Sequence, residues 1–174
     1  VLKAPGVLLL RDVRSDGRLL LDQVQSVWES RGRMAGDSTE RSLSWLDGTI
    51  WPILTEAGRQ LLFAELGEAG GEYATTYMRQ ADGKRPVRLC EGLPNDQSRD
   101  GRWALVMAGP PGKRELRMVP TGMGEAYTLP HGSIAAFTGS GLFLDGKHVF
   151  AQGSVAGGPG RCWVQEIPSG TPQP

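Results

Sequence analysis

The sequence predicts an all-β fold built from repeated antiparallel sheets, and three observations support that prediction. A short turn sequence recurs four times between runs of apolar residues, most clearly at residues 144–150. The glycines of the four turns are separated by 41, 43 and 45 residues. Glycine (25) and proline (12) are abundant, and no stretch shows a capped apolar pattern of helical period. A strand-built repeat of about 40–45 residues is typical of a β-propeller, in which each repeat forms one four-stranded blade.

The recurring turn is a strong hairpin signal because its residues suit a tight chain reversal. Asp-Gly occurs at positions 16–17, 100–101 and 145–146, whereas Ala57 precedes the glycine of the second copy. Glycine adopts the positive φ that the reversal needs, and aspartate hydrogen-bonds back to the backbone of the turn. We therefore expect equivalent hairpins in all four repeats. Their glycines are Gly17, Gly58, Gly101 and Gly146.

The repeats predict a single domain of about four blades. We place these blades at residues 7–47, 48–92, 93–132 and 133–174. Within each blade the predicted order is strand, turn, strand, loop, strand, turn, strand. The sequence starts inside this pattern at Val1, which favours a partial propeller that belongs to a larger ring of about six to eight blades.

The predicted strands differ in clarity between the repeats. In the first blade the third and outer strands are expected at residues 26–31 and 40–46, and the apolar strands within residues 8–21 are expected to lack a partner on one face. In the third blade the innermost strand, at residues 94–98, is polar and contains proline. In the fourth blade no outer strand follows the strand at 161–167, so we expect residues 162–167 to be an unpaired sheet edge.

Charge and cysteine content exclude several classes of protein. The 19 basic and 19 acidic residues cancel, which argues against a nucleic-acid partner or an anionic membrane surface. No apolar run approaches the ~20 residues of a membrane span, so membrane insertion by this segment is not expected. Cys90 and Cys162 fall in different blades, too far apart for a disulfide, and we expect two buried free thiols.

The sequence contains no recognisable catalytic motif. A nucleophile elbow needs Gly-x-Ser-x-Gly, and the nearest segments, residues 138–142 and 152–156, lack its glycines. The two histidines, His131 and His148, lie on unrelated turns and do not indicate a triad. We therefore predict no catalytic residue and no cofactor.

Metal sites are not predicted either. The histidines share no ligand spacing with the cysteines, which disfavours a zinc site. A calcium site would need carboxylates that converge near the propeller axis, and the candidates are Asp12, Glu65 and Asp96. Dispersed acids at strand ends are usually solvated, and we interpret these three in that way.

The five tryptophans are the most informative large side chains, and packing between blades is expected for most of them. Trp51 differs because it lies in a predicted inner strand, where one edge faces the central channel. Tryptophan is a favoured anchor for a bound peptide, so Trp51 is the candidate ligand-binding residue. Burial between blades is nevertheless the favoured interpretation of Trp51, as it is for the other tryptophans. The tryptophans are Trp28, Trp45, Trp51, Trp103 and Trp163.

Two features resemble the TolB-type, WD-like β-propeller family. One is the turn and apolar strand of residues 144–150, and the other is the Asp-Gly turn and outer strand of residues 80–89. Residues 11–21 and 41–47 further resemble the propeller that follows the kinase domain in some bacterial serine/threonine kinases. The resemblance covers nearly the whole chain. It implies a sensor or interaction platform on the extracytoplasmic side of a bacterial cell, periplasmic or at the cell surface, and a cytoplasmic location is the alternative.

The expected function is therefore non-catalytic binding of a protein segment, a peptide or another ligand at the channel or at one face of the propeller. The phosphate loop and the His-Arg-Asp and Asp-Phe-Gly motifs of kinases are absent, so kinase activity would belong to the remainder of the same polypeptide. The alternative is a propeller that gates substrates in a prolyl-oligopeptidase-like serine peptidase. An upstream kinase domain would favour the first function, and a downstream hydrolase domain would favour the second.

Overall fold

The structure is a computed structural model that describes residues 7–33, 36–55, 58–81, 83 and 85–174. Several features of the sequence lie outside these described residues. They are the segment 1–6, Ala57 of the second turn, and Asp82 and Lys84 of the turn within residues 80–89.

The regular structure of the described residues is β-strand, apart from one short 3-10 helix at Gly67–Ala69. The strands are β1 (Val7–Val13), β2 (Leu19–Val24), β3 (Arg31–Gly32), β4 (Arg41–Ser42), β5 (Thr49–Leu54), β6 (Gln60–Glu65), β7 (Thr75–Gln80), β8 (Val87–Glu91), β9 (Leu93–Gln97), β10 (Trp103–Ala108), β11 (Glu115–Pro120), β12 (Tyr127–Thr128), β13 (Ala136–Leu142), β14 (His148–Ser154) and β15 (Gly160–Glu166).

The second and third repeats each form a four-stranded antiparallel sheet. The strand orders are β5-β6-β7-β8 and β9-β10-β11-β12. The polar strand expected in the third repeat is β9, which pairs with β10 despite Pro94. In both sheets the second strand, β6 or β10, is almost entirely buried, as its continuous apolar sequence requires.

The fourth repeat forms the three-stranded sheet β13-β14-β15, and its outer position is occupied. Gln173 and Val164 exchange two backbone hydrogen bonds of 2.8 and 2.7 Å as an antiparallel bridge. The chain reverses before this bridge, where the Gly170 amide donates to the carbonyl of Glu166 at 2.8 Å, and Pro172 is buried. The expectation of an unpaired edge at residues 162–167 is therefore wrong at Val164, which pairs with Gln173.

The first repeat does not form the expected four-stranded sheet. Its strands make two separate pairs, β1-β2 and β3-β4, and β2 does not pair with β3. Strands β3 and β4 have only two residues each, far fewer than the expected segments 26–31 and 40–46. The physical reason is missing cover: no other sheet of the described residues packs on β1 and β2, and Leu20 is 60% exposed. Without a packed face, nothing aligns the later strands of this repeat with the first pair.

The four hairpins are equivalent, as predicted from their glycines. Gly17, Gly58, Gly101 and Gly146 have φ values of 84°, 63°, 71° and 67°. Each glycine amide donates to the carbonyl three residues earlier, at 2.7–3.1 Å. This is the left-handed conformation that residues with a side chain rarely adopt, which explains why glycine recurs at this position.

The aspartates stabilise the same turns through hydrogen bonds from backbone amides to their side chains. Asp16, Asp100 and Asp145 each accept a hydrogen bond from the amide two residues later, at 2.8–3.1 Å. These bonds favour the ionised carboxylates and so contribute to lowered pKa values at all three positions. The largest cause of the lowered pKa is the hydrogen bond from the Arg18 side chain at Asp16 and the hydrogen bond from the Ser98 hydroxyl at Asp100. At Asp145 the amide of Lys147 is the largest cause.

The sheets stack face to face, and the third sheet has an apolar cluster on each side. One cluster joins it to the fourth sheet through residues such as Leu105, Met107 and Trp163. The other joins it to the second sheet, where Leu62 meets Val106. Strand β9 lies between β5 and β13. The inner strands of three successive sheets are thus neighbours around one axis.

We expect the turn aspartates to give the protein part of its resistance to mild acid. Their folded pKa values lie below the ordinary 3.8, so the stability that they add is present above that pH and is lost as the pH falls through the folded values. A triple variant with asparagine at positions 16, 100 and 145 keeps the turn geometry. It should lose less stability than the original protein between about pH 5 and about pH 3. Urea denaturation at several pH values measures this, and parallel pH profiles for the two proteins would contradict it.

Candidate ligand-binding groove

A groove lies at the end of the second sheet that is opposite the Asp-Gly turns. Strand β5 begins here at Thr49, which pairs with Glu65 at the end of β6. The segment after β2 is held against this end because the Trp28 amide donates to the carbonyl of Asp47 at 2.8 Å. Trp28 also forms a parallel bridge with Gly48. The first and second repeats therefore meet here.

Two adjoining cavities form this groove. The smaller cavity has a volume of about 230 Å³ and is lined by both Trp28 and Trp51. The larger cavity has a volume of about 770 Å³, and Trp28 and Leu66 line both cavities. We call the two together the Trp groove. Its lining residues are Val7, 24–26, 28–30, 46–51 and 66–69.

Trp51 occupies a strained position on the wall of the Trp groove. Its φ is 51°, and among the described residues it alone has positive φ without being glycine. The register of β5 against β6 shifts between Ile50 and Ile53, so Trp51 sits in a bulge. The left-handed conformation costs a residue with a side chain about 1–2 kcal/mol. Strain of this kind concentrates at ligand clamps and functional sites.

The five tryptophans divide into a core residue and exposed ones. Trp163 is 2% exposed within the cluster between the third and fourth sheets, and Trp103 is partly buried against Tyr127. Trp28 and Trp51 are 57% and 48% exposed. The interpretation of Trp51 as buried between blades is therefore wrong. Trp45 is half exposed and contacts the rings of the second-sheet cluster.

Sequence reasoning missed Trp28 as a partner of Trp51. It placed residue 28 in a strand at 26–31, whereas the structure gives only an isolated bridge there. One available signal was its polar surroundings, because Trp28 and Val27 are the apolar residues in a stretch of glutamine, serine and glutamate. A large aromatic residue in such a stretch is poorly placed for a core.

A buried carboxyl group lies behind the small cavity. Glu65 is fully buried, and its Oε1 accepts hydrogen bonds from the Thr49 hydroxyl and from the Leu46 amide, the latter at 3.3 Å. Its Oε2 has no hydrogen-bond partner among the described residues. The interpretation of Glu65 as a solvated strand-end acid is wrong, because the carboxyl group ties the start of β5 to the end of β6.

The other acids considered for calcium do not join Glu65. Asp96 accepts a hydrogen bond from the Leu142 amide at 2.8 Å and so connects β9 to β13. Asp12 is exposed on the first hairpin and accepts from the Val13 amide. Within the described ranges, no three side chains of histidine, cysteine, aspartate or glutamate are grouped so as to hold a metal ion.

Histidine and cysteine side chains lie away from the Trp groove. His148 contacts Asp145 in the fourth turn, with Nδ1 2.6 Å from the carboxylate, and His131 is exposed in a loop. Cys90 is half-buried, and burial raises the pKa of its thiol to about 11. Both cysteines are free, but Cys162 is exposed, so the expectation of two buried thiols is wrong for that residue.

The charged residues that line the Trp groove are all acidic. They are Glu29, Asp47 and Glu68, and no lysine or arginine of the described residues lines either cavity. Glu29 pairs with Arg31 at 3.1 Å, which lies outside the lining. The groove thus combines two exposed indoles with an apolar floor, formed by Ile50 and Leu66, and with the negative charge of three carboxylates.

Comparison with solved structures identifies the architecture. TolB from Acinetobacter baumannii superposes with a TM-score of 0.63 at 16% identity, over 78% of this chain and 34% of that one. The putative TolB from Agrobacterium tumefaciens gives 0.62 at 17% identity, over 94% and 60%. The fold is a TolB-like β-propeller. The β-propeller domain of the Trilobed protease from Pyrococcus furiosus, which has an open velcro topology, gives 0.58 at 12% identity, over 73% and 41%.

These likenesses define the fold and extend no further. The chain spans between about a third and three fifths of the length of the three solved structures. No protein-family model and no curated protein matches the sequence. The propeller prediction made from the repeat period is confirmed, and the kinase-associated resemblance stays a prediction.

Replacing Trp51 by glycine should give a more stable protein than replacing it by alanine, by about 1 kcal/mol. Glycine adopts a φ of 51° without steric cost, whereas alanine keeps the strain, and both substitutions remove the same indole. At an ordinary strand position the order is reversed, with alanine more stable by about 0.5–1 kcal/mol. Urea denaturation of the two variants measures the difference.

Val164 offers the matched control because it is exposed in β15 and has no positive φ. Alanine should be the more stable substitution there. If alanine is also the more stable replacement at Trp51, the backbone at that position carries no strain.

Proposed function

We propose that the chain is a non-catalytic binding module that holds a protein or peptide segment in the Trp groove. The observation that carries this proposal is the pair of exposed indoles, Trp28 and Trp51, on the walls of one cavity. Burying a large apolar side chain contributes about 1.5–3 kcal/mol, so leaving two indoles in water forgoes a substantial stabilisation. A ligand that covers both rings would recover it, and tryptophan is among the commonest binding hot spots.

The dimensions of the groove suit an extended segment. The small cavity of about 230 Å³ accommodates a side chain, and the adjoining cavity of about 770 Å³ continues past Trp28 towards the 3-10 helix. Apolar walls with a few polar groups are typical of ligand sites. Trp51 thus supports binding at one face of the propeller, where the inner strand β5 begins.

We place this module within a larger ring and a larger bacterial polypeptide. Two observations support the larger ring: the first hairpin exposes leucines, and the outer face of the fourth sheet exposes Phe150 and Val164. Further blades from the remainder of the polypeptide would cover both surfaces. No helix in the described residues is long and apolar enough to span a bilayer. A sensor or scaffold role on the extracytoplasmic side, next to a serine/threonine kinase domain, follows from the sequence resemblance.

A propeller that gates substrates for a serine peptidase is the second candidate. The likeness to the propeller domain of the Trilobed protease favours it. The two functions differ in what the rest of the polypeptide contains, a kinase or a hydrolase domain. They share the prediction that residues 1–174 bind a segment without cleaving it.

We expect the protein to select peptides from a random dodecapeptide library displayed on phage, and to bind them through the indoles. Trp28→Ala and Trp51→Ala should each weaken the binding of a selected peptide by roughly tenfold or more, the loss typical of a hot-spot residue. Titration calorimetry measures the affinity.

Leu144→Ser is the matched control for these variants. Leu144 is 82% exposed but lies at the opposite end of the sheets, in the fourth Asp-Gly turn. Its substitution should leave the affinity unchanged. Peptides that bind all four proteins equally would show that the Trp groove is not the binding site.

A further inference from the structure

We propose, on the basis of this function, that the segment held in the Trp groove is cationic. It would carry arginine or lysine next to apolar residues, with the cationic group against the faces of Trp28 and Trp51. The apolar neighbours would contact the floor formed by Ile50 and Leu66.

The charge of the lining is the first argument. The whole chain is neutral, with 19 basic and 19 acidic residues, so a surface of average composition would carry both signs. Among residues 7–33, 36–55 and 58–81, the lining of the Trp groove carries three carboxylates and no cation. Asp47 and Glu68 have no salt-bridge partner within the described part of the chain. Their charges are therefore available to a ligand.

The aromatic walls are the second argument. A cation over the face of an aromatic ring is attracted by the quadrupole of the ring, and tryptophan gives the strongest attraction. Arginine suits such a site because its planar guanidinium is weakly hydrated and stacks on rings. Two exposed indoles supply this attraction in the small cavity, and Asp47 and Glu68 supply negative charge in the adjoining one.

Other ligand classes fit the groove less well. An acidic segment would be repelled by Asp47 and Glu68 and would find no lining cation. A purely apolar segment would cover the indoles but would leave the carboxylates without a partner. Complementary charge also accelerates association and rejects wrong partners, which a sensor of peptides requires.

The peptide selection tests this inference separately from the proposed function. Only peptides that bind the original protein and do not bind the Trp51→Ala variant are sequenced. This choice excludes peptides that bind elsewhere on the protein surface. Enrichment of arginine and lysine over the unselected library supports the inference. Enrichment of acidic or only apolar residues overturns the inference and leaves the peptide-binding function intact. If no selected peptide depends on Trp51, the proposed function fails and the inference fails with it.

A charge-neutral analogue of the peptide then tests whether binding requires the positive charge. Each arginine of a selected peptide is replaced by citrulline, which has nearly the same shape but no charge. The citrulline peptide should bind about tenfold or more weakly, and the affinity of the arginine peptide should fall as salt is added.

The double variant Asp47→Asn/Glu68→Gln locates the attraction in the groove. It should weaken binding of the arginine peptide and leave the citrulline peptide unaffected. Equal affinities of the two peptides for the original protein would overturn the inference, because shape alone would then explain recognition.

Discussion

The requirement that each apolar sheet face be covered by another sheet organises this chain. The third sheet meets that requirement on both sides: Leu105 and Met107 face the fourth sheet, and Val106 faces the second. Each fully buried side chain of this kind contributes about 1.5–3 kcal/mol relative to exposure. The first hairpin has no such cover, and its repeat is also the one whose strands fail to join into one sheet.

Local chemistry explains which parts of the fold were predictable. The Asp-Gly turns were found correctly because the positive φ of Gly101 and the side-chain bonds of Asp100 are set within a few residues. The outer strands of the second and third repeats were also found, as β8 and β12, but those of the first and fourth repeats were not, since pairing there depends on distant contacts. Gln173 bridges Val164 from a proline-rich stretch with little strand propensity, held by the turn at Gly170.

The candidate site was predictable only in part. An aromatic residue in an inner strand identified Trp51, but no local pattern indicates a bulge between Ile50 and Ile53 or a left-handed φ. Trp28 reaches the same cavity because the loop after β2 bonds to Asp47 and bridges to Gly48 across the repeat boundary. The groove therefore arises where the second sheet meets the first repeat, and tertiary contacts assemble it.

The central claim is that face-to-face burial, and not strand pairing alone, stabilises this protein. Native-state amide hydrogen exchange on residues 1–174 tests it most directly, because β1-β2 and β10-β11 are both antiparallel pairs with six partnered positions but differ in burial. The account predicts strong protection in β10 and β11, with opening free energies near that of global unfolding, and rapid exchange throughout β1 and β2. Equal protection in the two pairs would contradict it.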